Sequence, residues 1–368
     1  MKILLVEPDF PVPAKSKNHC NFLPIGLLKM ASYHKGEGDE VRLNRGNMTA
    51  QFIPDEIKIT SLFTYWSKYV HDSVKYYRDL YPNAKIQVGG IYASLMPEHA
   101  KTSGCDEVLP GLYEKGAAEK LEPAYDLVNV DYQIIHASRG CFRKCNFCGT
   151  WKIEPEVTYK TSIKNEIKKP QLVFYDNNLL ANPNIKIILK ELSEFRFPNR
   201  QRVSCESQSG FDGRILVQDP ELAKLLKSAR FKNPRIAWDG PYLQWTKIKR
   251  QIKILKEAGY NSTDIFVFML FNHDLSYSEM LKKLDACRRW GVRIVDCRFR
   301  PLDSLSDGYN SRAKRQDSTE YFIHKNWTDY QVRSFRRKVR RQNIALILNL
   351  PNGKYITGVE KRYIPITR

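Results

Sequence analysis

The chain reads as an α/β protein: a doubly wound parallel sheet over its first third, a longer run of strand–helix units, and a basic helical tail. Three observations predict this. Short apolar runs ending at turn residues alternate with stretches whose apolar residues recur at helical spacing, the pattern of parallel sheets covered by helices. The length of 368 residues and the 42 % hydrophobic composition suit one large core or two moderate ones, so two domains are expected. The charge of +20 is uneven: residues 1–132 hold 15 Lys+Arg against 17 Asp+Glu, which leaves 45 against 23, or +22, for residues 133–368. That asymmetry points to an anionic partner or substrate for the second part, nucleic acid or a phosphorylated compound; a merely solvated basic surface is the plainer alternative.

Residues 2–6 form a short apolar run ended by Pro8, a buried parallel strand, and the polar, proline-containing stretch 9–17 is its loop. Residues 23–33 carry apolar side chains at helical spacing, with Pro24 suited to a first turn. Strands follow at 40–43, 57–62 and 85–88, with a helix over 68–81, and the last strand closes on Gly89-Gly90. Paired glycines there allow close approach of a bulky ligand or a tight turn. Ligands of such sheets lie at the carboxyl ends of the strands. No run of roughly 18 apolar residues occurs and the early charges are unlike a signal sequence, so a cytoplasmic protein with no membrane contact is expected.

Further strands are expected at 133–137, 171–175, 202–212, 235–241, 264–272 and 292–301, the third and fourth with polar exits. Helices are expected over 248–258, stopped by Gly259, and over 280–290, stopped by Gly291; Met269 and Phe271 read as core. The polar stretch 303–317 reads as an exposed loop or lid. Residues 327–331 suit a cap for a helix running to 343, in which six of the nine residues 333–341 are basic and Val332, Phe335 and Val339 share one face. Such a helix grips a phosphate backbone or seals an open edge while its charges face water.

The chemistry concentrates in Cys141, Cys145 and Cys148, spaced C-x3-C-x2-C between Ser138-Arg139-Gly140 and Gly149-Thr150-Trp151. Three thiolates hold three irons of a 4Fe-4S cluster and leave the fourth iron open. A zinc site normally needs a fourth ligand, and no second C-x2-C or H-x3-H pair supplies one. A disulfide framework suits small secreted domains, not a long chain with eight scattered cysteines. The spacing resembles that of the radical S-adenosylmethionine (SAM) superfamily, in which SAM chelates the open iron and the reduced cluster releases a 5'-deoxyadenosyl radical. Residues 23–27, 89–98 and 110–114 also resemble the cobalamin-binding-type domain that precedes the barrel in one subgroup. The D-x-H-x-x-G motif of cobalt-ligating histidines is absent, because none of the seven histidines has an aspartate two residues before it.

The resemblance implies a cobalamin-binding-like Rossmann-type domain over 1–128, a partial (β/α)6 radical SAM barrel over 129–302 and a basic extension over 303–368. It implies that Phe147 packs near the adenine and that Asp176 and Asn177 lie beside the SAM amino group. Glu206 and Gln208 would contact the ribose, and Arg298 a SAM carboxylate or substrate anion. Cys205 and Cys297, at strand ends, could exchange a hydrogen atom with a substrate radical, although buried cysteine is commonly structural. The expected function is a radical SAM enzyme that takes hydrogen from an anionic substrate, a nucleotide or nucleic acid among them. It would be reduced by a flavodoxin- or ferredoxin-type one-electron donor. Where cobalamin is kept, methyl transfer follows; without it, rearrangement or bond formation. An alternative of another class is a non-catalytic nucleic-acid-binding protein with a structural cluster.

Overall fold

The computed structural model describes residues 1–12, 23–113 and 115–350. Most of the expected loop over 9–17, Cys20, Glu114 and the end of the tail lie outside the described residues.

Strand β1 (Lys2–Glu7) sits within a five-stranded parallel sheet with β2 (Glu40–Arg45), β3 (Glu56–Ser61), β4 (Lys85–Gly90) and β5 (Glu107–Leu109), ordered β2-β1-β3-β4-β5. The run Ile3-Leu4-Leu5-Val6 is wholly buried because each sheet face has its own helix. Ile3 and Leu5 share a core with Leu27 and Ala31 of α1 (Ile25–Gly36), while Leu4 and Val6 share one with Val70, Val74 and Tyr77 of α2 (Ser67–Leu80). Successive side chains of a strand point to opposite faces, so a doubly covered strand needs an apolar residue at every position. The short β5 carries no such run and was not legible.

Gly90 shows what the glycine pair is for. Its φ is +95°, and a Cβ on it would stand 2.3 Å from the carbonyl oxygen of Ser61 in β3. The neighbouring strand occupies the space a side chain would need, and the chain turns there directly into α3 (Ile91–Leu95). After α4 (Pro97–Lys101) and irregular turns, the chain enters its second set of strands.

Six strands follow one another in parallel. Strand β6 (Tyr132–Ile135) precedes a short antiparallel ribbon of β7 (Ser138–Arg139) and β8 (Thr158–Tyr159). Then β9 (Gln171–Phe174) pairs with β6 and with β10 (Ser204–Ser207), while β11 (Arg235–Ala237), β12 (Phe266–Phe271) and β13 (Arg293–Arg298) form a second parallel sheet. The two sheets meet through isolated parallel bridges, Cys205 to Phe231 and Phe211 to Ile236. There the Phe211 N–H donates to the Arg235 carbonyl at 2.7 Å.

Helices α5 (Thr150–Ile153), α6 (Ile185–Glu194), α7 (Gly213–Gln218), α8 (Glu221–Ser228), α9 (Trp245–Glu257) and α10 (Tyr277–Trp290) fill the connections. On α6 the buried residues Ile185, Ile188, Leu189 and Leu192 make a single stripe at helical spacing. One continuous core joins α6 through α10 to the six strands.

The tail helix α11 (Asp329–Ile347) starts at a capping box in which Thr328 and Gln331 satisfy each other's backbone N–H. Val332, Phe335 and Val339 are buried against the strands as their spacing predicts. Asn343 then donates to the Ile294 carbonyl at 2.7 Å and accepts from its N–H at 2.9 Å. Thus α11 covers the exposed side of β13, the last strand, and supplies ladder bonds that no further strand provides. Of the two uses open to the tail, sealing is the one its inner face performs.

Replacing Gly90 by alanine should destabilise the protein by about 2 kcal/mol or more, because a side chain is strained at that φ and collides with Ser61. A urea unfolding midpoint unchanged in Gly90→Ala would show that the strand-to-helix turn relaxes freely.

Candidate active site

The loop bearing the three cysteines is clamped at both ends. At its start, the buried Asp176 carboxylate, just beyond β9, accepts from the N–H of Ala137 at 3.0 Å, the N–H of Ser138 at 2.5 Å and the Ser138 hydroxyl at 2.7 Å. The Asn182 side-chain amide donates a hydrogen bond to the Ala137 carbonyl at 2.8 Å. Gly140 has a φ of +74°, and a Cβ there would lie 2.2 Å from the Glu156 carbonyl, so the two ends of the loop press together at this residue. Across the neck, Arg139 pairs with Glu154 at 2.5 Å and the Gly140 N–H donates to Glu154 at 2.9 Å.

Within the loop, the Trp151 indole N–H donates to the Cys145 carbonyl at 3.1 Å and the Cys148 N–H donates to the same carbonyl at 3.1 Å. The three thiols are half-buried and in no disulfide. Burial pushes the Cys145 thiol up, and the nearby Cys148, Asp239 and Cys141 push the same way. The Cys148 thiol donates to the Thr150 hydroxyl at 3.3 Å, and Thr150 in turn reaches Asn177 Oδ1 at 3.3 Å. Arg143, inside the loop, pairs with Asp212 at 3.0 Å, the residue whose carboxylate caps α7. Burial alone would raise the Asp212 carboxyl; Arg214 and Arg143 outweigh it and hold it below the usual range.

The strand register sorts the other expected site residues by face. In β12, Val267, Met269 and Phe271 are buried under helices, and Phe271 packs on Trp327 and Phe335 of the tail. Arg298 stands opposite Phe271 and so shares that helix-covered face, whereas Cys297 stands opposite Leu270 on the other. Arg298 is tied to Asp307, which also pairs with Arg300, and its guanidinium lies over the rings of Tyr309 and Tyr321. Its Nε and Nη1 are buried with no hydrogen-bond partner among the described residues. Arg298 therefore fastens the segment after β13.

Cys297 faces the side on which Asp239 and Arg300 act on it, and burial lifts its thiol to about 12. Cys205 stands opposite the core residue Leu172 and is also lifted to about 12 by burial, so it is a packing residue. Glu206 stands opposite Val173 on the half-buried face and is paired with Arg235. The half-buried Gln208 continues the ladder, its N–H donating to the Phe174 carbonyl at 3.0 Å.

Asp176 is enclosed by backbone, so within its segment Asn177 is the side chain that meets the cysteine loop, through Thr150 at 3.3 Å and Glu154 at 3.4 Å. Phe147 meets His273, beyond the end of β12, edge to face at 6.1 Å between ring centres, and His273 packs against Phe299 at 4.4 Å. The carboxyl ends of β9 to β12 thus contribute Asn177, Asp212, Asp239 and His273 around one loop. Nothing in the sequence marked Glu154 or Arg143 for the roles they take, because each is read only through a partner distant in the chain.

Among the described residues, no three His, Cys, Asp or Glu side chains converge where a single metal ion would sit. A cubane gives each thiolate its own iron, so its ligands stand farther apart. Three thiols in no disulfide lie on one clamped loop, near enough for Cys141 and Cys148 to act on Cys145, and thiolates are the donor type a 4Fe-4S cluster uses.

No family model and no curated protein matches this chain. Among solved structures, the carboxyl transferase domain of Rhizobium etli pyruvate carboxylase with pyruvate aligns at 13% identity and a TM-score of 0.23, over 94% of this chain and 48% of that one. The same domain with 3-hydroxypyruvate aligns at 13% identity and 0.21, with the same coverage. This chain spans about half the length of those chains. At such scores the likeness bears on neither fold nor activity.

Burial lifts the Asp176 carboxyl from 3.8 to about 6, against the opposing pull of its Ser138 and Ala137 donors. A carboxyl raised in the fold stabilises it fully below the unfolded value of 3.8, and that contribution is lost as pH rises through about 6. Asp176→Asn should remove this pH dependence and cost about 1–3 kcal/mol, since an amide cannot satisfy the same donors. Parallel stability profiles for the two proteins in urea between about pH 4 and 6 would contradict the assignment.

Proposed function

We propose that this chain is a radical SAM enzyme whose 4Fe-4S cluster is held by Cys141, Cys145 and Cys148. The observation that carries the reading is the C-x3-C-x2-C triplet, free of disulfides, on a loop clamped beyond the first of six successive parallel strands. Parallel α/β proteins place reacting groups at that end of their strands. When bound, the cluster with SAM supplies the electron that opens the C5'–S bond and so yields the 5'-deoxyadenosyl radical. The chain's own part is to bind, orient and exclude water.

Three divisions follow: a sheet domain over 1–128, a partial (β/α)6 barrel over 129–302 and an extension over 303–368. The order of the six strands, with α11 along β13, supports an open barrel sealed by its tail. The first domain also contributes to the site wall: a Cβ on Gly149 would touch Leu95 of α3 at 3.4 Å and Leu302 at 3.7 Å. In this reading Phe147 would pack on the adenine, while Asn177 and Glu206 would offer acceptors to the SAM ammonium and ribose. Cys148 and its companions must lose their protons to bind iron, so cluster assembly should weaken as pH falls.

Cobalamin fits the described residues poorly. In a sheet ordered β2-β1-β3-β4-β5, a ligand enters where β1 and β3 diverge. Phe10, beyond β1, and Trp66, beyond β3, stack at 5.4 Å between ring centres with planes 19° apart, which bridges that position. Gly90 gives its open side to Ser61, and Ser94 holds both the Gly90 carbonyl at 2.7 Å and the Gly111 N–H at 2.8 Å. No methyl transfer through cobalt is derived from these residues. The sheet acts instead as a wall for the barrel mouth: Tyr65 lies under Arg300 at 4.7 Å and the Ser67 hydroxyl donates to the Leu305 carbonyl at 3.1 Å.

An external flavodoxin- or ferredoxin-type donor would supply the electron, and the surplus of basic residues favours an anionic substrate. No helix among the described residues is long and apolar enough to cross a membrane. Protein reconstituted with iron and sulfide under anaerobic conditions and reduced with dithionite should form 5'-deoxyadenosine from SAM, and Cys145→Ala should form none. A reconstituted, reduced protein that leaves SAM intact would place the chain among proteins with a structural cluster or none.

A further inference from the structure

On the outer surface, α9 and α10 enclose an open groove of about 1260 Å³. It belongs to none of the residues assigned to the cysteine loop. Its floor is aromatic: Tyr242 and Trp290 each stack on the fully buried Trp238, at 6.0 Å and 5.7 Å between ring centres. Trp245, at the start of α9, lines the groove with 38% of its surface exposed.

The rest of the lining is cationic. Lys249, Arg250 and Lys256 project from the exposed face of α9 and are in no ion pair among the described residues. Lys253 and Arg289 also line it, held loosely by Glu257 at 3.5 Å and Asp285 at 3.4 Å. Glu257 is the single acidic residue of the lining.

We infer that this groove binds single-stranded nucleic acid. Five cations against one carboxylate call for a polyanion, and an exposed indole beside them offers a face on which an unpaired base stacks. A duplex hides its base faces and so leaves Trp245 nothing to stack on; an anionic phospholipid surface can take up an indole, and competition by vesicles distinguishes it. The groove begins at Tyr242, five residues beyond the carboxyl end of β11. A strand lying in it is thereby led toward the carboxyl ends of the barrel strands. The inference does not rest on the cluster, because the groove is lined by Tyr242 and by residues of α9 and α10, none of them in the cysteine loop.

The test is fluorescence anisotropy in air, with labelled oligo(dT) and oligo(U) of about 16 nucleotides, a duplex of equal length, inorganic polyphosphate and phosphatidylserine vesicles as competitors. Either single strand should bind more tightly than the duplex. Trp245→Ala should weaken binding about tenfold and Trp245→Phe much less, since a phenyl ring still stacks. Lys249→Gln with Lys256→Gln should reduce the slope of log affinity against log salt by about 1.4, at about 0.7 for each phosphate lost. Stronger binding of oligo(U) than oligo(dT) would identify the strand as RNA within the same inference. The inference is overturned if the oligonucleotides do not bind, if duplex, polyphosphate or vesicles compete as well as a single strand, or if Arg337→Gln with Arg340→Gln abolishes binding that the groove variants leave intact. Because Trp245 and the lysines are on the surface, circular dichroism melting of each variant should match the parent.

Discussion

The cysteine loop depends on one buried carboxylate. Asp176 leaves β9, turns under the end of β6 and takes the N–H groups of Ala137 and Ser138, where β6 has no strand left to pair with. A buried backbone N–H without a partner is costly, and a buried carboxylate without donors more so; each answers the other's need. That exchange fixes the direction in which the chain leaves β6. The ribbon of β7 and β8, the close contact at Gly140 and the Arg139–Glu154 pair then shape an 18-residue excursion, residues 140–157, into a loop with a defined interior.

From that loop, the division of labour between the strand faces follows. On the helix-covered face, Leu172, Cys205, Met269 and Phe271 form one core, and Arg298 joins the tail beside Phe271. On the other face, Glu206 and Cys297 stay within reach of groups beyond the strand ends. A shift of one residue in register would exchange these sets, so the buried alternation of β12 also decides which polar groups can meet the cysteines. The tail contributes from outside: α11 completes the edge of β13, and Asp307 gathers Arg298 and Arg300 beneath it.

Much of this was legible in the chain. The unbroken run Ile3-Leu4-Leu5-Val6 announced a doubly covered strand, and Val332, Phe335 and Val339 announced the docked face of the tail helix. Thr328 and Gln331 announced its start. The cysteine triplet was legible because its spacing is local. What escaped was set by distant partners. Asp176 in an Asp-Asn-Asn segment looked like a ligand for an ammonium group, and only the fold shows that Ala137 and Ser138 consume it. Arg298 looked like a contact for an anion; the partner that occupies it, Asp307, sits in a loop without a pattern of its own and also holds Arg300. The glycine pair suggested an approaching ligand or a tight turn, and at Gly90 it is the turn: Ser61 fills the space a side chain or ligand would need.

The account holds that the triplet leaves one iron free for SAM, which separates a radical enzyme from a protein with a structural cluster. The electron paramagnetic resonance spectrum of the reconstituted, reduced protein tests this directly. A signal from a reduced 4Fe-4S cluster that changes on addition of SAM, and is lost in Cys145→Ala, is the predicted result. A cluster signal that SAM leaves unchanged would mean that the fourth iron is already ligated, and the central claim would fail.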